Sequence, residues 1–278
     1  MQSISKNRFP DDASAFPMLM GVLNVSRDSF SDGGKYLDDS AAVGQALRMV
    51  SEGAAIVDIG AESTRPDCKP LPADEELRLL LPKLAAVRNA LPDIAISVDT
   101  YKPEVARAAL ENGADIINDV LVRVVDGRCP MAALAAEFDC PIVATHNSRG
   151  AEFSGDFFGA FVRGVADMVA AVEREGAEKI IIDPGFGFGK TAEQNFEIAA
   201  RLGELRMFGY KILLGVSRKS SLAGLVGAGM DARDDATAAI TAISAASNSA
   251  DIYRVHDVAK NAAALKTAME ISKWTKLK

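Results

Sequence analysis

Ile212-Leu213-Leu214-Gly215-Val216-Ser217-Arg218-Lys219-Ser220 begins as an apolar run and ends in two cations flanked by hydroxyls. A strand buried on both faces reads as unbroken apolar sequence, so the polar quartet marks the point where such a strand reaches a rim. Runs near 18–23, 54–59, 94–98, 115–117, 141–145, 179–182 and 252–255 end the same way. Their ends carry Asn24, Asp58, Asp99, Asn118 with Asp119, His146, Asp183, and Arg254 with His256. Eight apolar runs converging on one polar rim describe a cup.

Segments of helical period separate the runs, at 41–51, 74–91, 103–113, 131–138, 158–175, 193–205, 236–247 and 258–271. Gly53, Gly113 and Gly176 stand just past such segments, where a left-handed cap is expected. Eight strand-then-helix units predict the α/β class and a single (β/α)8 TIM barrel, with a doubly wound open sheet as the competing architecture. The barrel domain is expected over 17–278, behind an N-terminal extension at 1–16. No charge block or low-complexity linker marks a second domain.

The 278 residues are 49% hydrophobic, enough for a large core. A formal charge of -7 argues against a nucleic-acid partner held by a general electrostatic footprint. Any anion site must therefore be local. Cys68, Cys129 and Cys140 show no close metal-ligand or redox spacing, and their odd number suits a reducing cytoplasm. No run of about 18 apolar residues is present, so no membrane association is expected.

In a barrel of this kind, catalytic groups come from the carboxyl ends of the strands. A strand-end Asp taken singly usually caps a helix or bonds a loop amide. Asp58, Asp99 and Asp183 brought together would repel unless a ligand offers donors, and Asn118 can donate and accept at the edge of a purine-like or pterin-like ring. Arg254 and His256 alternate along one strand and point to the same side, while Arg65, Arg218 and Lys219 come from neighbouring loops. With Thr64, Ser217 and Asn24 they could hold a diphosphate on another part of the rim, the alternative for Arg254 and His256 being a structural pair. His146, lacking a second histidine or cysteine nearby, reads as a packed or loop-supporting residue. The polar loops at 24–35 and 60–70 read as lids. Phe188 offers a wall for a flat ligand, and the turn at 183–190 lacks Walker spacing.

Seven separated motifs, in order, carry a resemblance. They are Gly21-Val22-Leu23-Asn24-Val25 with Asp28 to Gly34, Glu62-Ser63-Thr64-Arg65-Pro66, Ser97-Val98-Asp99-Thr100, Asn118-Asp119, Asp183 to Lys190, Ser217-Arg218-Lys219-Ser220, and Arg254-Val255-His256-Asp257. Across 17–271 the chain resembles the dihydropteroate synthase family of folate biosynthesis, a target of sulfonamides. The resemblance implies that Asp99, Asn118, Asp183 and Lys219 hold a pterin, and that Asn24, Thr64, Arg254 and His256 hold its diphosphate, Asn24 with magnesium. It implies that Arg65, Pro66, Phe188, Lys219 and Ser220 shape the 4-aminobenzoate site and that Asp58 lies near the reacting methylene. The implied reaction joins a dihydropterin methyl diphosphate to 4-aminobenzoate by an SN1-like route, with Asp58, Asp99, Lys219, Arg254 and His256 as its catalytic residues. A homodimer is the implied assembly.

Three positions depart from the family pattern: Thr145 replaces a methionine, Arg27 a proline, and Ser221-Leu222-Ala223-Gly224 is offset. Rival readings are a Schiff-base aldolase through Lys219, a pterin-dependent methyltransfer module, and a pterin-binding paralogue without turnover. The aldolase lacks a proton relay beside Lys219, and a methyltransfer module has no use for the anion site.

Overall fold

The computed structural model describes residues 8–10, 17–25, 38–63, 69–150, 153 and 155–275. Eight parallel strands form a closed barrel in chain order: β1 (Met18–Asn24), β2 (Ala54–Gly60), β3 (Ala95–Asp99), β4 (Ile116–Asp119), β5 (Ile142–Thr145), β6 (Ile180–Asp183), β7 (Lys211–Leu214) and β8 (Ile252–Val255). β8 pairs with β1, so no sheet edge remains open. The open-sheet alternative is thereby excluded.

Helices α1 (Asp39–Glu52), α2 (Ala73–Ala90), α3 (Pro103–Glu111), α4 (Pro130–Glu137), α5 (Phe157–Glu173) and α6 (Ala192–Arg201) follow the first six strands. α7 (Ser220–Val226) and α8 (Met230–Ala246) both follow β7, and α9 (Val258–Thr275) follows β8. Gly53, Gly113 and Gly176 take the expected left-handed conformation, with φ of 116°, 100° and 86°. Three helical expectations change. The segment at 193–205 divides into α6 and a 3-10 turn at Leu202–Phe208, α8 begins six residues early, and α7 was not anticipated. Seven residues are too short for α7 to show a period.

Strand alternation sends one set of side chains inward and the other to the helices. Met20, Ile56, Ala95, Ile116, Val143, Ile181, Leu213 and Ile252 fill the barrel, while neighbours such as Val57, Ile117, Ala144 and Ile182 join the helix layer. Phe9 packs with Met18 in this interior cluster, and Arg8 bonds Asp115 Oδ1 at 3.0 Å. Residues from the 1–16 stretch thus contribute to the barrel's packing. Among the described residues, no helix is long and apolar enough to cross a membrane.

Candidate active site

On six of the eight strands, all but β1 and β7, the inward position one alternation beyond that apolar layer is polar. Ile56 leads to Asp58, Ile116 to Asn118, Val143 to Thr145, Ile181 to Asp183 and Ile252 to Arg254, while Asp99 lies two alternations beyond Ala95. The pairing sets Asp99 beside Asn118 and Thr145 beside Asp183. Apolar filling therefore stops at one level, and a polar cup opens above it at the carboxyl ends of the strands.

Arg254 organises the cup. Its Nε donates to Asp58 Oδ2 at 2.6 Å and its Nη2 to Asp99 Oδ2 at 2.5 Å. Asn118 Nδ2 donates to the same Asp58 oxygen at 3.1 Å. The carboxylates, expected to need a ligand's donors, receive them from the chain itself. Cations and carboxylates also share one centre instead of occupying separate parts of the rim. Gly60, the next inward residue after Asp58, makes room for this: a Cβ there would lie 3.2 Å from Asp99 Cβ.

Burial sets the electrostatics. It pushes the Asp99 carboxyl up to about 7, against the pull of Arg254. Burial opposes the Arg254 cation too, but Asp58 and Asp99 outweigh it and raise its pKa. Asp183 is raised by burial although Gly185 N–H donates to its Oδ1 at 2.7 Å. Lys219 keeps part of its surface in solvent, yet its enclosed ammonium, with Arg254 nearby, has its pKa lowered to about 8. Asp58 Oδ1 and Asp99 Oδ1 are buried and have no partner among the described residues, which leaves acceptors for a ligand.

Around the cup, Phe188 lies under the Lys219 ammonium, 4.1 Å from ring centroid to Nζ, with Arg149 5.1 Å from the same ring. Ser217 Oγ accepts from His256 N at 3.1 Å and lies 2.9 Å from His256 Nδ1. With Oγ accepting the amide, its own proton is available to Nδ1, and we assign the imidazole proton to Nε2. Ser220 is exposed at the start of α7, and Asn24 is exposed at the end of β1. The structure thus gathers Asp58, Asp99, Asn118, Asp183, Lys219, Arg254, His256 and Phe188 at one end of the barrel, with Asn24 and Ser220 on its rim. Thr64, Arg65, Pro66 and Arg27 lie outside the described residues, as do 26–35 of the first expected lid and 64–68 of the second.

Two residues depart from or refine their expected roles. Arg218, expected near the anion, forms a two-pronged pair with Asp234, both bonds 2.8 Å, and holds a left-handed backbone at φ 58°. Asp234 was missed by sequence reasoning, though a signal existed: Asp234, Thr237, Thr241 and Ser244 make a polar stripe on the buried face of α8. His146 is a packed residue as expected, set edge-on to Phe161 with centroids 5.0 Å apart. Burial, reinforced by Lys190, drops its pKa to about 4, so the ring is neutral. Lys190 anchors the loop by donating to His146 O, Gly185 O and Phe188 O.

The family model described as pterin binding enzyme matches residues 20–256. A dihydropteroate synthase of Streptococcus pyogenes serotype M3 is 44% identical over 251 residues, covering 87% of this chain and 91% of that protein. A Clostridium difficile dihydropteroate synthase structure, determined in the presence of pteroic acid, superposes with a TM-score of 0.85 at 38% identity, covering 92% and 97% of the two chains. A Xanthomonas albilineans dihydropteroate synthase with 4-aminobenzoic acid gives a TM-score of 0.84 at 38% identity, covering 92% and 93%. A barrel whose polar cup faces the carboxyl ends of its strands, with these relatives along nearly its whole length, belongs to the dihydropteroate synthase family of pterin-binding enzymes.

Proposed function

We propose that this chain condenses (7,8-dihydropterin-6-yl)methyl diphosphate with 4-aminobenzoate, giving 7,8-dihydropteroate and diphosphate. The observation that carries this reading is the Asp58–Arg254–Asp99 centre with Asn118, Asp183 and Lys219 around it in a member of this family. Asn118 and Asp183 receive the pterin edge, and the free Oδ1 atoms of Asp58 and Asp99 accept its N–H groups. His256, presenting Nε2–H, and Arg254 face the diphosphate side. Phe188 and Lys219, with the rim at Ser220, border the 4-aminobenzoate approach.

The carbon–oxygen bond to diphosphate breaks first, leaving a methylene cation delocalised into the pterin. The buried carboxylates stabilise that cation, and Arg254 and His256 stabilise the charge that develops on the leaving group. The aniline nitrogen then forms the new bond and gives up one proton, so dihydropteroate, diphosphate and a proton balance the equation. Asn24, exposed at the end of β1, would hold a magnesium ion through its amide oxygen, a hard donor, with water and phosphate completing the shell. When bound, it supplies charge neutralisation for the diphosphate.

Other parts of the reading have thinner support. A reducing cytoplasm suits Cys129 and Cys140, both buried free thiols. A homodimer is supported by exposed Ile243 on α8 and exposed Ile271 and Trp274 on α9, two helices that pack on each other. The test is direct: purified protein, both substrates and magnesium are incubated, and dihydropteroate is sought by mass. Absence of product from protein that binds the dihydropterin diphosphate would replace the synthase reading with a binding protein that holds pterin without turnover. A sulfonamide, whose aniline imitates that of 4-aminobenzoate, is expected to compete with it.

A further inference from the structure

Asn195 lies outside the cup and makes no contact that the condensation itself requires, yet its side chain is fully buried, beside Ile198, on the inner face of the amphipathic α6. Its Oδ1 accepts from Gly187 N at 2.7 Å. The two protons on its Nδ2 are shared among Lys190 O at 3.1 Å, Thr191 O at 2.7 Å and Ser221 Oγ at 3.1 Å. The first three partners belong to the loop between β6 and α6. Ser221 belongs to α7, two residues after Lys219. The amide thus joins two neighbouring loops, each of which carries a substrate-bordering residue within two positions of the joint: Phe188 next to Gly187, and Lys219 before Ser221.

The loops meet closely where the joint holds them. Gly187 has φ 83°, and a Cβ there would lie 3.0 Å from Lys219 Cδ. Lys219 Nζ stands 4.1 Å from the Phe188 ring centroid, a distance at which the ring quadrupole and the cation attract. Only an amide can serve as the joint. A carboxylate would accept from Gly187 and Ser221 but bring no donor to the Lys190 and Thr191 carbonyls, and an apolar residue would strip the side-chain partner from all four groups, leaving Thr191 O only the backbone N–H of residue 195.

We propose that Asn195, through Ser221, is a positioning residue that registers the β6–α6 loop against the β7–α7 loop and thereby seats Lys219 on Phe188 beside the 4-aminobenzoate approach. The inference rests on the condensation reading for the roles of Phe188 and Lys219. Lys219 is a sensitive reporter of its seat, because the enclosure that lowers its pKa to about 8 depends on that seat.

Ser221→Ala cuts the joint between the loops while leaving the three other Asn195 bonds in place, so the fold is retained even where Asn195→Ala fails to fold. Steady-state kinetics give KM and kcat for each substrate. Pulsed acylation with acetic anhydride across pH, read by peptide mass spectrometry, gives the Lys219 titration midpoint without any need for turnover. The expected result for Ser221→Ala is a KM for 4-aminobenzoate raised about fivefold, the factor worth one hydrogen bond, at little change in kcat. The Lys219 midpoint is expected to move up by about one pH unit, and Ser221→Thr to restore both. A Ser221→Ala protein with wild-type circular dichroism and either quantity unchanged overturns the proposal. Wild-type protein that forms no dihydropteroate sinks the condensation reading instead, and the acylation midpoint then judges the positioning role alone.

Discussion

Replacing Arg254 by Met removes the guanidinium while nearly keeping the side chain's length, so the effect reads the charge and not a cavity. Two buried carboxylates, with Oδ2 atoms 2.6 and 2.5 Å from the guanidinium, then lose their cation. Removing one partner of a buried ion pair costs about 3–5 kcal/mol, because the charge left behind has no water to turn to. Here the cost depends on pH. Asp99 already sits at about 7, far above the usual range of an aspartate, and Arg254 is the first influence holding it down. Without Arg254 it rises further. A carboxyl whose folded pKa is raised binds more protons folded than unfolded, so stability falls as pH rises from near 4 through the folded pKa. In the wild type that loss is complete a little above 7; in the variant it continues to higher pH. Urea unfolding followed by circular dichroism is expected to show Arg254→Met less stable than wild type by about 3–5 kcal/mol at pH 8. Toward pH 6 the deficit is expected to shrink by up to about 1.4 kcal/mol per pH unit. A pterin lacking the diphosphate is expected to bind more weakly as well, since Asp99, one of its carboxylate partners, becomes protonated. Equal deficits at pH 6 and pH 8, or a deficit below about 1 kcal/mol at pH 8, would refute the electrostatic account of the centre.

The pH dependence of kcat/KM offers a second check. An ionised Asp99 and a charged Lys219 are both required, so activity is expected to fall as pH drops through about 7 and as it rises through about 8. A profile flat from pH 6 to 9 contradicts that requirement. A third check concerns Thr145, whose Oγ1 is buried without a partner among the described residues. Thr145→Val, nearly the same shape, is expected to gain about 1 kcal/mol in stability, and a loss would reveal a hydrogen bond that the hydroxyl makes. Thr145→Met is expected to tighten pterin binding by up to about 1 kcal/mol, and weaker binding would mean that the pocket is packed around threonine.

The barrel was legible because its strands are buried on both faces and their apolar runs stop abruptly at Asp58, Asp99, Asp183 and Lys219. The same feature hid the chemistry between strands. Arg254 and Asp58 are 196 positions apart, and nothing local to either marks their bond. Sequence alternation placed Arg254 and His256 on one side of β8, but closure of the barrel decides which carboxylates that side meets. The partner of Arg218 was hidden for a related reason: the left-handed Arg218 backbone, at φ 58°, accompanies a pair with Asp234 on α8, 16 positions away. Asn195 and Asp234 left a subtler trace, each a polar residue on the buried stripe of an amphipathic helix. Such a residue breaks the binary pattern unless its hydrogen bonds are satisfied inside.

Charge in the cup also bears on the order of bond breaking and bond making. Asp58 and Asp99 share the single guanidinium of Arg254, two carboxyls against one cation, so this centre carries one negative charge in excess when fully ionised. In the free protein burial, with Asp58 adding to it, holds the Asp99 pKa near 7 and leaves it partly protonated at neutral pH, which relieves that excess. A pterin methylene cation arriving in the same enclosure supplies the missing positive charge and pulls the Asp99 pKa down. The carboxylate therefore becomes fully charged as the cation forms, so its interaction with the reacting group is stronger at that stage than with the neutral ground state. Differential stabilisation of this kind accelerates a reaction, whereas equal affinity for both states does not. It favours loss of diphosphate before attack by the amine: a neutral aniline entering first would bring no charge to the carboxylates and would leave the excess where it was.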